Sequence, residues 1–236
     1  MVCLIYFNTK SFCQEYPKWF IEQGKIDANN TAVGYARLSF YTDSSTALAF
    51  KNACENYARN KNSRITGGQA FWATEIGTFW MGHNFKETYD TLQYFKALNS
   101  FKGIDTLITD KLIIILIGDS NNVSDQLQPE RISFSDIKSP VWINSPPTDS
   151  LFIPAVGIAP EYFYETSSWL EAERLARLNL ARQICTKLKS IQKADNYEGQ
   201  EVRHEETYVD LQNIIITARW RDLQKKLFYV LIKMSK

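Results

Sequence analysis

The side chains able to do covalent or metal chemistry are few and scattered. There are four cysteines (Cys3, Cys13, Cys54, Cys185) and two histidines (His83, His204) in 236 residues. A nucleophilic site needs a thiol or hydroxyl, a base and a group that orients the base. The combination on offer is Cys54 or Cys185 with His204 and Glu205 or Glu206. Those glutamates sit beside His204 in a strand-like run, where neighbours point to opposite faces, so the cluster reads as a solvated strand end. Glu201, Glu205, Glu206 and Asp210 lack the loop spacing of a calcium site. The cysteines and histidines lack zinc spacing, and Cys54 and Cys185 read as small buried hydrophobes. Gly67-Gly68 has no Lys-Ser/Thr or dinucleotide pattern around it and reads as a bulge or turn. No catalytic residue, metal or cofactor is assigned.

The aromatic stretch Phe71, Trp72, Phe79, Trp80, Phe85 and Tyr89 is the strongest binding candidate. Strand alternation would expose some of these rings, and an exposed aromatic patch marks a partner, sugar or membrane contact. Packing between segments is the competing use.

Bulk composition bounds the function further. A net charge of +1 argues against a protein that neutralises nucleic-acid phosphates. Fourteen per cent aromatic residues describe a globular chain. The longest apolar run, Leu112–Ile117, is too short to span a bilayer as a helix.

A repeat organises the rest. Pro17–Arg59 aligns on Pro140–Arg182 without a gap at a constant offset of 123, with 15 of 43 positions identical. The shared positions include Trp19/Trp142, Val33/Val156, Gly34/Gly157, Phe40/Phe163, Tyr41/Tyr164, Asn56/Asn179 and Arg59/Arg182. Each copy opens with a Trp-containing lead-in and a strand (31–38 or 153–159). Glycine within a strand marks close approach of another backbone, so Gly34 and Gly157 predict a helix lying tightly against each strand. The FYTDSS and FYETSS corners supply N-cap candidates, and Ser168 with Glu171 spells a capping box. Helices follow over 45–60 and 168–192, with Ala47, Phe50, Cys54, Tyr57 and Ala58 on one face of the first. The repeated alanines Ala49/Ala172, Ala53/Ala176 and Ala58/Ala181 read as packing surface.

After the first helix, 65–80 is β-prone, a short helix spans 89–98, and strands cover 105–109 and 111–117. LIIILI reads as a strand buried on both faces. In the second copy 201–220 and 227–234 predict a hairpin. The fold class is therefore α+β, with two tandem strand–helix–strand–strand repeats. The first covers 17–118 with an insertion at about 65–103, 119–139 is a linker, and the second covers 140–236. Pairing of the copies about a pseudo-two-fold would bury their edges.

Pro140-Val141-Trp142, Ala155-Val156-Gly157-Ile158-Ala159, Glu171–Arg182 and Tyr229-Val230-Leu231-Ile232 resemble, in that order, a family of small bacterial surface lipoproteins of the LPP-twenty type. The second copy matches over Pro140–Met234, the first over Pro17–Arg59 and Ile104–Ile117. The resemblance implies a dodecin-like helix-on-sheet fold, no catalytic residues, and an outer-membrane location through a lipidated cysteine. Cys13 is the lipidation candidate, although Lys10-Ser11-Phe12 before it departs from the aliphatic and small residues such a signal uses. Val2–Phe7 is apolar but lacks a basic start and a small-x-small cleavage site. The reading that follows is a non-catalytic structural or interaction protein of the cell envelope or secreted space, with protein partners or self-association, membrane association through an N-terminal anchor, and no nucleic acid. Two alternatives stand beside it: a small-ligand binder using the groove between the repeats and the aromatic insertion, and an enzyme of unknown type.

Overall fold

The computed structural model describes residues 14–26, 30–74, 77–119, 127, 130–147, 149–184, 186–189 and 201–236, with 69–74, 77–83, 186–189 and 201–207 described as backbone only. In chain order the elements are β1 (Glu15–Pro17), the short helix α1 (Lys18–Ile21), β2 (Thr31–Arg37), α2 (Thr42–Lys61), β3 (Asn62–Thr74), β4 (Gly77–His83), β5 (Lys86–Tyr89) and α3 (Thr91–Ser100). There follow β6 (Lys102–Ile108), β7 (Leu112–Gly118), β8 (Arg131–Ser133), β9 (Phe152–Pro160), α4 (Glu165–Ile184), β10 (Thr186–Lys189), β11 (Glu201–Gln212), β12 (Ile215–Asp222) and β13 (Leu227–Ser235). The chain is α+β and its strand pairs are antiparallel. A first sheet runs β2-β7-β6, a second β12-β13-β9, and a third β10-β11-β3-β4 with β5 also on β3. β1 and β8 form a small ribbon, so the 119–139 segment contributes a strand.

Two glycines fix the distance between each helix and its strand. A Cβ on Gly34 would lie 2.1 Å from the carbonyl oxygen of Ala49, and one on Gly157 would lie 1.9 Å from that of Ala172. The repeated alanines at 49, 53, 172 and 176 are fully buried at these contacts. Asn56 and Asn179 donate to the carbonyls of Val33 and Val156, each at 2.9 Å. The Oγ of Ser45 accepts from Ser39 N at 3.0 Å, and that of Ser168 accepts from Tyr162 N at 2.8 Å. These serines therefore sit inside their helices and tie down the preceding corner, and the capping box expected of Ser168 and Glu171 does not form. Glu171 binds Arg174 instead. Ala47, expected on the packed face of α2, is exposed, because the tight approach at Gly34 turns the Ala49–Ala53 stripe inward.

Alternation along β2 then shows how the copies meet. Gly34 faces α2, whereas its neighbour Tyr35 donates from the opposite face to Oε1 of Glu173 on α4, at 2.6 Å. The first sheet therefore has α2 on one side and α4 on the other. α4 also packs on β9 and β13, so the layers run α2, first sheet, α4, second sheet. The pseudo-two-fold pairing is not confirmed: α4 lies on the back of the β2-β7-β6 sheet, between it and the β12-β13-β9 sheet. Every residue of β7 is buried, as a strand between two helical layers requires.

Other boundaries moved for tertiary reasons. The 201–220 run divides at Asn213, whose φ of 51° lies in the left-handed region, so β11 and β12 join different sheets. β12 and β13 form the expected hairpin, while β11 pairs with β3 from Glu201↔Ala73 to Gln212↔Asn62. The second helix ends at Ile184 rather than at 192, since Thr186–Lys189 pairs with β11. The inserted elements of the first copy begin at Asn62, three residues earlier than expected, and α3 starts after an Asp90 side-chain cap on Leu92 N at 2.9 Å.

A buried charge pair locks the layers. Arg219 on β12 is 1% exposed and Glu173 is 0% exposed. Nη2 of Arg219 donates to Glu173 Oε1 at 2.8 Å, and Nη1 donates to the Phe20 carbonyl at 3.0 Å and to Gln23 Oε1 at 2.7 Å. The guanidinium also lies over the Phe20 ring, 4.8 Å from its centroid. Burial opposes the charge on Arg219, yet Tyr35 and Glu173 beside it hold its pKa above the ordinary value.

Two predictions follow from these contacts. Gly34→Ala or Gly157→Ala costs about 3 kcal/mol through overpacking, whereas Gly103→Ala, whose Cβ would meet only the Ile115 side-chain end at 3.3 Å, is tolerated in urea melts. Arg219→Ala strands the Glu173 charge and costs about 3–5 kcal/mol, while Arg219→Met combined with Glu173→Leu costs much less. Equal losses for the single and double changes would remove the charge-stranding explanation.

Candidate functional site

α2 and α4 run from corresponding corners, and a cleft of about 640 Å³ opens between them. On the α2 side it is lined by Asn52, Glu55 and Arg59, and on the α4 side by Leu170, Arg174 and Arg177. The corner Tyr162-Phe163-Tyr164 forms one rim, and Glu87 of β5 reaches the floor. Each helix has an acid in its first turn, Asp43 or Glu165, and a base in its last, as the helix dipole favours.

The charges in this cleft are matched. Arg59 Nη2 donates to Glu55 at 2.9 Å, and Arg174 holds both oxygens of Glu171 at 2.7 Å. Arg177 pairs with Glu87 through Nε and, at 3.2 Å, through Nη2. Burial opposes the Arg177 charge, but Glu87 outweighs it and holds the guanidinium above its usual pKa. Arg177 is buried, and its Nη1 has no hydrogen-bond partner among the described residues. A buried guanidinium N–H without an acceptor costs free energy, which an oxygen brought against it would recover. With three cations against three carboxylates, the cleft favours a neutral or zwitterionic ligand over a bare ion.

The corner residues differ in their engagement. Tyr164 accepts from Arg37 Nη1 at 2.8 Å, and the same guanidinium stacks 4.6 Å from its ring centroid. Phe163 is 92% exposed and packs edge-on against Tyr164. Beyond the corner lies a second cleft of about 750 Å³ containing Tyr16, Glu161, Glu165 and Arg221. There Tyr16 donates to Glu165, which also accepts from Trp169 Nε1 at 3.0 Å and from Arg221 Nη1 at 3.4 Å.

The residues singled out in the sequence fall elsewhere or outside the description. Phe71 and Trp72 on β3 pair in register with Trp80 and Phe79 on β4, and their side chains lie outside the described residues. Phe85 is half-buried under Arg182, whose guanidinium lies 4.8 Å from the ring centroid, and Tyr89 stacks with Arg59 at 4.9 Å. These two rings serve as packing partners for the arginines repeated at 59 and 182. Cys54 is a buried free thiol that burial pushes up to about 11, which suits a small hydrophobe. Cys3, Cys13 and Cys185 lie outside the described residues, as do the side chains of His204, Glu201, Glu205 and Glu206. Asp210 forks onto Arg64 at 2.6 and 3.1 Å, and that bond holds its carboxyl below the usual range. Gly67 has φ 118° and lies inside β3, close under Asn84. Among the described residues no group of three or more His, Cys, Asp or Glu could hold a metal, and no helix is long and apolar enough to cross a membrane.

No family model, curated protein or solved structure matches the chain.

Sequence reasoning missed Glu87, Glu173, Arg177 and Arg219 because their partners lie in other elements. The one signal available was the exposed corner, retained as Phe-Tyr in both copies.

Burial raises the pKa of Tyr16 and Tyr35 above the ordinary phenol value, with Glu165 reinforcing it for Tyr16 and Glu173 for Tyr35. The folded protein keeps these protons where the unfolded chain loses them. Their contribution is thus fully present below the unfolded pKa of about 10 and declines as pH rises above it. Stability measured against pH falls on the alkaline side, and the Tyr16→Phe/Tyr35→Phe double variant shows a flatter alkaline limb; an unchanged limb would discount both phenols.

Proposed function

We propose that this chain is a non-catalytic binding protein made of two tandem strand–helix–strand–strand modules, which takes a small neutral or zwitterionic organic ligand in the cleft between α2 and α4. The tandem reading is supported by contacts that recur at an offset of 123: Gly34 and Gly157 under their helices, Asn56 and Asn179 on strand carbonyls, and Ser45 and Ser168 on the corners. One observation carries the ligand: the buried, unpartnered Nη1 of Arg177 in a cleft of about 640 Å³. Leu170 and the rings of Tyr162 and Tyr164 supply the apolar wall expected of an organic ligand, and Arg174 and Asn52 supply polar contacts.

This reading takes the groove of the ligand-binding alternative and shifts its lining from the aromatic insertion to the two helices, with Glu87 as the insertion's contribution. The lipoprotein resemblance directs the search to cell-envelope ligands, and fractionation of native cells tests that compartment separately.

The test is a thermal-shift screen of neutral sugars and amino acids against the native protein and a Leu170→Trp variant that fills the cleft. A ligand at one hundred times its Kd stabilises the native chain by about 2.7 kcal/mol. It leaves Leu170→Trp unmoved and binds Arg174→Ala more weakly. Hits that shift the filled variant equally would place the ligand elsewhere and sink the cleft reading.

A further inference from the structure

The corner Tyr162-Phe163-Tyr164 belongs to two clefts at once. It rims the cleft between α2 and α4, and it also lines the second cleft, where Tyr16, Glu165 and Arg221 meet. At about 640 and 750 Å³, each has the size of a small-molecule site. A ligand confined to one of them would leave the rings between them bare.

We propose that the ligand is a linear, neutral oligosaccharide of flat β-1,4-linked units, which lies across the corner with one end in each cleft and a sugar face on Phe163. The proposal rests on the cleft reading above and extends it to a second subsite.

The rings themselves are the first support. Phe163 is 92% exposed, and Tyr162 and Tyr164 on either side of it are 43% and 40% exposed. Three consecutive aromatic side chains at a water-facing corner form an apolar surface that gains free energy when covered. A pyranose with equatorial hydroxyls carries its C–H bonds on two flat faces. Such a face covers an aromatic ring while the hydroxyls point sideways.

The corner is also held in place. The backbone N–H of Tyr162 donates to Ser168 Oγ at 2.8 Å, and the Tyr164 carbonyl accepts from Ser167 N at 3.0 Å. Arg37 donates to the Tyr164 hydroxyl and stacks on its ring. Phe163 leans edge-on against Tyr164, 4.8 Å between centroids. The platform is therefore formed before a ligand arrives, and little ordering is left for binding to do. The corresponding corner of the first copy is Ser39-Phe40-Tyr41, one ring short, and neither cleft is lined by it.

Charge points the same way at both ends. Among its described lining residues the second cleft sets Arg37, Lys111 and Arg221 against Asp110, Glu161 and Glu165, the three-to-three balance found in the first. Both clefts thus favour a ligand without net charge. Arg221 donates to Glu161 at 2.6 Å and to Glu165 at 3.4 Å, as Arg174 does to Glu171 in the first cleft. A hydroxyl is donor and acceptor together, so it donates to the carboxylate of such a pair and accepts from the guanidinium. Neighbouring hydroxyls repeat that arrangement along a sugar chain. Nε of Arg221 and Nε2 of Gln14 in the second cleft are buried without a partner among the described residues, as Nη1 of Arg177 is in the first. A hydroxyl oxygen brought against any of them recovers the cost of leaving it unpaired.

Titration calorimetry of glucose, N-acetylglucosamine and their β-1,4-linked oligomers up to the hexasaccharide tests this on the full chain. Because one molecule then occupies two subsites, the hexasaccharide binds about a hundredfold tighter than the monosaccharide. Phe163→Ala and Glu161→Ala each weaken the hexasaccharide about tenfold. Both residues are exposed, so neither change moves the melting temperature. Failure of both series to bind, affinity that does not grow with length, or growth that survives either substitution overturns the proposal. So does an equal length gain for glycine–serine peptides, which have no flat C–H face. The cleft reading fails on a different result. Monosaccharide or amino-acid binding that Leu170→Trp abolishes, with no gain from length, keeps the cleft between α2 and α4 and removes only the second subsite. Binding that Leu170→Trp leaves untouched removes both.

Discussion

The fold depends on one carboxylate and one guanidinium taken wholly out of water. Glu173 comes from α4, Arg219 from β12, and their other partners come from β2 and from the lead-in that precedes it. Four segments must be in place before either charge is satisfied. A buried pair of this kind adds little net stability over apolar side chains, and its larger effect is to reject arrangements in which either partner would be stranded. Here the rejected arrangements include a slip of α4 along the first sheet by one turn, which would separate Glu173 from Tyr35. The pair sets the relation between the copies, while the glycine and alanine contacts set the relation inside each.

What the sequence made legible follows that division. Contacts inside one copy are local and leave a pattern: Gly34 with Ala49 and Ala53, the LIIILI strand, and the hairpin of β12 and β13 could all be read from spacing. The junction could not. Nothing near Glu173 marks it as buried, since its partners are 46 and 138 residues away in the chain. The sense in which the copies stack was equally hidden, because the alternation that places Tyr35 opposite Gly34 acquires meaning only once α4 is known to lie behind it.

The candidate site shows the same limit. An aromatic cluster such as Phe71–Tyr89 is conspicuous in a sequence. The cleft is built instead from asparagine, arginine and glutamate at ordinary helical positions, which look like any solvated helix face. Arg177 in particular occupies the position equivalent to Cys54, so comparing the copies marks it as a difference and says nothing of its burial. Its value as a site residue comes from Glu87 reaching in from an inserted strand, a long-range event with no local signature.

The pairing of β3 with β11 bears on the order in which the chain can fold during synthesis. β3 emerges with the first third of the protein and finds β4 and β5 at once on one side. Its other side waits for residues 201–212, because Asn62 pairs with Gln212 and Ala73 with Glu201. Non-local strand pairing of this span is slow, and an unpaired edge is a template for wrong partners. A nascent chain thus carries one long sticky edge for most of its time on the ribosome. The chain's last strands complete the first copy as much as the second, and the two halves mature as one unit.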